Sequence, residues 1–144
     1  MKQKNAAITT LKATQKIRIR FNETDPLGIV WHGNYIKYFE DGREAFGRKF
    51  GISYLDVHKY GFATPIVKSS CEHKLPLKYG EIANIEATYI NSPAAKMIFT
   101  YKITNNEGKT VCIGETVQVF VDDKGELSLT NPTFFEEWKQ KMKL

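Results

Sequence analysis

Apolar and polar residues alternate through TQKIRIRF, with Ile17, Ile19 and Phe21 set against Lys16, Arg18 and Arg20. A period of two predicts a strand with one buried face. NETDPLG then brings Asn, Asp, Pro and Gly together and ends it, since all four favour turns. From Asn34 the period changes. Tyr35, Phe39, Gly42, Phe46 and Phe50 recur at spacings of four, three, four and four, which predicts one long helix with a single apolar stripe. Asn34 is expected as its N-cap, accepting from the unpaired amides of the first turn. Glu40, Asp41, Arg43 and Glu44 form the polar flank, and Gly51 suits the C-terminal stop. Gly42 lies on the apolar stripe, where it weakens the helix. A close approach by another backbone would account for it.

ISYLDVHKYG predicts a short helical turn and a loop. Four strands are expected over 62–75, 81–90, 96–104 and 110–121, rich in branched and aromatic residues. NNEG reads as a hairpin turn, and NSPAA as a longer connection. NPTFFEEWKQKMKL predicts a short helix over 131–144, with Asn131 as cap and Pro132 in the first helical position. The order is strand, helix, then four strands in antiparallel meander. A single long helix must bury its stripe against the sheet. The expected class is therefore α+β, one domain over 1–144, with a curved antiparallel sheet around one central helix and a polar lead-in over 1–14.

Composition narrows the possibilities. A chain of 144 residues suits one domain. Folded alone it buries about 68% of its unfolded surface, and oligomerisation would bury more. No apolar run approaches the roughly 20 residues of a membrane helix. MKQKNAAITTLKATQK lacks the apolar core of a signal peptide, so a cytoplasmic location is expected. Cys71 and Cys112 sit in no Cys-x-x-Cys pair and read as buried free thiols of a reducing compartment. The net charge is +5, but the lysines are scattered, with one modest group at Lys68, Lys74 and Lys78. Without a basic–aromatic cluster, nucleic acid is not an expected partner. An anionic small molecule is a better match to such a surface.

FNETDPLGIVWHGNYIKYFEDGREAF carries more than periodicity. It resembles the 4-hydroxybenzoyl-CoA thioesterase family of hotdog-fold enzymes. Asp25, Gly28, Val30, His32, Asn34 and Tyr35 fall on the family's pattern, and TPIV (Thr64 to Val67) is similar to the start of its second strand. The likeness in element order spans roughly 16–120. It implies a hotdog fold, and dimers or tetramers with active sites at the subunit interface. It also implies hydrolysis of an acyl-CoA or acyl-carrier-protein thioester without a cofactor.

Hydrolysis needs an attacking group and something to hold the charge that grows on the carbonyl oxygen. Asp25 can be the nucleophile, forming a mixed anhydride, or the general base for water. Taken alone, TDPLG is also simply a good turn. Glu23 is the neighbouring rival. The first amides of the helix near His32 lack intrahelical partners and carry the positive end of its dipole. As oxyanion donors at His32 or Gly33, each would be worth about 10²-fold or more in rate. Gly33 would let a substrate approach the backbone. The His32 side chain could contact substrate, orient Asp25, or be a partly buried histidine satisfied by a neighbour.

The resemblance also implies substrate contacts from Tyr35, Thr64 and Lys96. Read from the residues alone, Tyr35 with Phe39 and Phe46 suits the core, and Thr64 suits a strand. Ala94 and Ala95 stand where the family can carry arginines for coenzyme A phosphates, which leaves Lys96 there. Glu40 is held in reserve, because other hotdog enzymes use an acid on this helix. His32, His58 and His73 show no ligand spacing, so no metal is expected. The rival functions are a non-catalytic acyl-CoA binding module and a hotdog hydratase.

Overall fold

The first strand starts earlier than its alternation predicts. In the computed structural model, which describes residues 10–144, β1 is Lys12–Arg18, with Leu11 and Ala13 already buried. Of the expected polar lead-in, 1–9 lie outside the described residues. The strand also stops sooner. Ile19 is buried, but Phe21 is 75% exposed rather than on the core face. The Glu23 carboxylate accepts from the Arg20 N–H at 2.7 Å, which winds 21–23 into a 3₁₀ turn. Phe21 swings outward there and meets Tyr79 edge-on, with ring centroids 5.8 Å apart.

The long helix is α1 (Tyr35–Phe50), entered through a 3₁₀ turn at His32–Asn34. It ends as expected at Gly51, whose φ of 73° is the left-handed cap conformation that glycine adopts without a Cβ penalty. Its buried face carries Tyr35, Tyr38, Phe39, Gly42, Phe46 and Gly47. A Cβ on Gly42 would lie 2.6 Å from the Ile85 side chain. The glycine thus admits a side chain of the sheet, and not a backbone as the sequence suggested. A short helix, α2 (Tyr54–Lys59), follows, capped reciprocally by Ser53 and Asp56.

The remaining strands are β2 (Ile66–His73), β3 (Ile82–Ile90), β4 (Lys96–Thr104) and β5 (Thr110–Val119). All neighbours pair antiparallel, in the order β1-β3-β4-β5-β2. Only β3, β4 and β5 form the expected meander. β2 pairs with β5 at the far edge, because β1 already occupies the free side of β3. One sheet face presents Ile85, Ala87, Phe99 and Tyr101 to α1. Tyr101 stacks on Phe39 at 4.5 Å between centroids. The C-terminal helix, α3 (Thr133–Lys141), starts one turn position later than expected. Pro132 takes the cap position, and Asn131 makes no cap bond. Phe135 and Trp138 of α3 close one end of the core, and the Trp138 indole N–H donates to the Phe50 carbonyl at 2.8 Å. Among the described residues no helix is long and apolar enough to cross a membrane.

Candidate active site

A small hairpin joins the end of β1 to the head of α1. Thr24 bridges Val30, and the Asp25 N–H donates to the Ile29 carbonyl at 2.8 Å. Asp25 opens the turn between them. Its carbonyl accepts from the Gly28 N–H at 2.8 Å, and its Oδ1 accepts from the Leu27 N–H, also at 2.8 Å. Gly28 has a φ of 80°, a conformation open to glycine and strained for most other residues. Oδ2 makes no hydrogen bond among the described residues. The turn reading and the chemical reading of Asp25 are thus compatible, because each uses a different oxygen.

The opposite arm of the hairpin runs directly into the helix. The Glu23 carbonyl accepts twice, from the Trp31 N–H at 3.0 Å and from Asn34 Nδ2 at 2.8 Å. Asn34 is therefore a brace and not the expected cap. Its backbone is already helical, and its side chain makes no bond to its own helix. Residues preceding it explain this, since the 3₁₀ turn moves the helix start back to His32. Glu23, the acidic rival, is 8% exposed and spent on Arg20, through its N–H and a 3.3 Å contact with its guanidinium. Replacing Asn34 by Ala should cost about 1–3 kcal/mol, the usual range when a buried hydrogen-bond partner is removed. Chemical denaturation should show a lower midpoint with an unchanged slope.

Among the described residues, the N–H groups of His32 and Gly33 have no acceptor, while that of Asn34 donates to the Trp31 carbonyl at 2.9 Å. The hairpin that carries Asp25 leads into the 3₁₀ turn that carries these two amides, but no hydrogen bond among the described residues links Asp25 to His32. The His32 ring is exposed and lies 5.1 Å from that of Trp31. Trp31, half exposed, has no role in the sequence reading. A Cβ on Gly33 would fall 2.2 Å from its indole. The space that Gly33 was expected to leave for substrate is thus filled by Trp31. An exposed tryptophan two positions before a glycine at a helix head was the available signal.

The other expected residues lie apart from this hairpin. Tyr35 is 3% exposed, with its ring 4.9 Å from that of His73, and burial pushes its hydroxyl up to about 12. That is a core position at the first residue of α1. Lys96 is exposed at the start of β4. Thr64 lines a cavity of about 790 Å³ with Glu40, Asp41, Phe99 and Gln118. Gln118 Nε2 donates to the Thr64 carbonyl at 2.8 Å and to its Oγ1 at 3.1 Å, while Gln118 Oε1 is buried without a partner. Glu40 stands on the rim, 3.7 Å from Arg43, with its side chain 58% exposed. Asp41, which periodicity places only on the polar flank of α1, borders this cavity. Burial, and then Glu44 beside it, hold its carboxyl above the usual range, as is common for acids in functional clefts.

Known proteins share this arrangement of elements. The sequence pattern of the thioesterase-like superfamily matches residues 19–139. YneP of Bacillus subtilis (strain 168), which bears a provisional acyl-CoA thioesterase name, is 31% identical over 124 residues, covering 86% of this chain and 90% of its own. The DHNA-CoA thioesterase of Staphylococcus aureus superposes with a TM-score of 0.82 at 25% identity, over 90% of this chain and 89% of that one. A 4-hydroxybenzoyl-CoA thioesterase in complex with 4-hydroxybenzoyl-CoA superposes with a TM-score of 0.77 over 89% of this chain and 98% of that one, at 22% identity.

Proposed function

Because this chain belongs to the thioesterase-like superfamily and is a thioester hydrolase with the hotdog fold, we propose that Asp25 and the amides at the head of α1 carry out its reaction. The substrate is an acyl- or aroyl-CoA, or the same acyl group on a carrier protein. Water and the thioester give a carboxylic acid and a free thiol. In one course Asp25 takes a proton from water as it attacks. In the other it attacks first, and water opens the resulting anhydride. In both courses the carbonyl oxygen turns negative beside the His32 and Gly33 N–H groups, where the helix dipole favours anions.

The observation that supports this reading most is the division of labour at Asp25. One oxygen holds the turn through the Leu27 N–H, which fixes the carboxylate, while the other is free to react. Preorganisation of this kind lets a charged group act without being reoriented during the reaction. Trp31 and His32 border the same spot and suit contacts with the acyl group. Lys96, exposed at the start of β4, is a basic group that a coenzyme A phosphate could use. The cavity beside Thr64 would receive substrate in a homodimer or homotetramer. β2 supports such an assembly, because among the described residues its outer edge has no partner strand and Val67 on it is 59% exposed. Open edges of this kind invite a second strand.

The test is thiol release from a panel of short, medium and aromatic acyl-CoA thioesters and their carrier-protein counterparts. Release from at least one donor is the expected result. Acyl-CoA binding without release from any donor would replace the enzyme by a binding module.

A further inference from the structure

β2 and β5 carry a group of soft ligands that thioester hydrolysis leaves unused. Their register sets Cys71 opposite Gly114 and His73 opposite Cys112. Residues two apart on a strand share a face, so Cys71, His73 and Cys112 point the same way. That face is the one packed against α1, because a Cβ on Gly114 would fall 2.3 Å from the Phe39 ring. The two sulfurs are 3.1 Å apart. Cys71 Sγ lies 3.6 Å from His73 Nε2, and the three donor atoms all lie within 4.8 Å of one another. Cys112 is fully buried, Cys71 half-buried and His73 exposed. The His73 ring is seated edge-on against Tyr35, the first residue of α1.

We propose that Cys71, His73 and Cys112 form a three-ligand site for a soft divalent metal ion, zinc above all. Two thiolates and an imidazole are a donor set that zinc takes readily. Zinc bonds of about 2.3 Å to sulfur and about 2.0–2.1 Å to nitrogen, at a tetrahedral angle, set sulfur and nitrogen roughly 3.6 Å apart. The Cys71–His73 separation already has that value. The same geometry sets two sulfurs about 3.8 Å apart, so the cysteines part slightly on binding. The fourth position faces the solvent side, where His73 is exposed, and takes water.

A disulfide is the competing chemistry, and the strand register disfavours it. Cys71 and Cys112 are diagonal neighbours and not directly opposed. Diagonal positions are about 7–8 Å apart, at or beyond the roughly 7 Å between Cα atoms that a disulfide spans. From the 3.1 Å between the sulfurs, zinc needs them to part by about 0.7 Å, whereas a disulfide of about 2.0 Å needs them to close by about 1 Å. Histidine spacing along the chain gives no hint of the site, because strand pairing and not sequence interval collects its ligands. Bound there, the ion ties the edge strand β2 to β5 beside the head of α1, and stabilises the fold by mass action.

The experiment strips the reduced protein with a chelator and titrates it with cobalt(II), then zinc. The expected result is a thiolate-to-cobalt charge-transfer absorption that saturates at one ion per chain, vanishes as zinc displaces cobalt, and is accompanied by a higher melting temperature. Cys71→Ser should bind cobalt more weakly and show about half that absorption per bound ion, since one thiolate of the two remains. His73→Ala, at an exposed position, should melt like the stripped wild type and bind at least about 100-fold more weakly, at or above the upper end of the roughly 10- to 100-fold of outer-shell changes. Three results would overturn the site: no charge-transfer absorption, equal metal affinity in wild type and His73→Ala, or a Cys71–Cys112 disulfide recovered from zinc-saturated protein.

Discussion

Asp25→Asn is expected to lower kcat for thiol release by about 10²- to 10⁴-fold, the range associated with a positioned acid or base, while leaving KM and the melting temperature nearly unchanged. The reason lies in what asparagine keeps. Its amide oxygen can still accept from the Leu27 N–H, which Oδ1 does now at 2.8 Å. The turn, the Gly28 conformation and the Thr24–Val30 bridge therefore persist. What disappears is the negative charge on the second oxygen, which makes no hydrogen bond among the described residues. An amide neither takes a proton from water nor attacks a thioester at a useful rate. Asp25→Ala is the informative companion. It removes the turn acceptor as well, so it should combine the same loss of rate with about 1 kcal/mol of instability. Equal thiol release by wild type and Asp25→Asn, on a substrate that wild type does hydrolyse, would remove Asp25 from the mechanism and direct attention to Glu40 or Asp41 at the cavity.

The contrast between what the chain declares and what it conceals follows from the range of the forces involved. The stripe on α1 and its stop at Gly51 are local properties, set by helical period and by one glycine, and a single stretch of sequence contains both. The alternation in β1 is local too, but its end is not. Phe21 continues the pattern and still leaves the core, because the Glu23 carboxylate captures the Arg20 N–H. The partner of β2 is a long-range choice that no spacing within 62–75 encodes. For the same reason the sequence could not bring His73 to Cys112. Asn34 shows the limit at the site itself. An asparagine before a helix reads as a cap by statistics, yet here its side chain reaches back eleven residues to the Glu23 carbonyl. The acid and the helix head are legible from their residues, but the brace that joins them is not. Gly33 is similar, since its missing Cβ accommodates Trp31, and only coordinates reveal which neighbour claims such a space.

Phe46→Ala should cause the largest loss of stability, about 3–5 kcal/mol, against a total of about 5–15 kcal/mol for a typical domain. Phe46 is fully buried where three parts of the fold meet. Its ring lies 4.6 Å from that of Phe50 one turn along α1, 4.9 Å from Phe99 on β4, and 6.4 Å from Trp138 on α3. Removing it opens a hole among rigid aromatic groups, which cannot collapse to fill it. The lost burial and the residual cavity therefore add. For a chain of this length the melting temperature should fall by about 10–20 °C. Phe46→Leu, which leaves a branched side chain in place, should cost about 1–2 kcal/mol. Activity separates this variant from those at the site. Phe46 is three turns from the helix head but borders the cavity beside Thr64, so in protein that remains folded at low temperature kcat should fall far less than in Asp25→Asn, with any further change in KM and in the half-life on warming. A melting temperature within about 3 °C of wild type would show that the ring does not join helix, sheet and C-terminal cap. A kcat reduced as far as that of Asp25→Asn, in fully folded protein, would show that the head of α1 depends on packing far down its length.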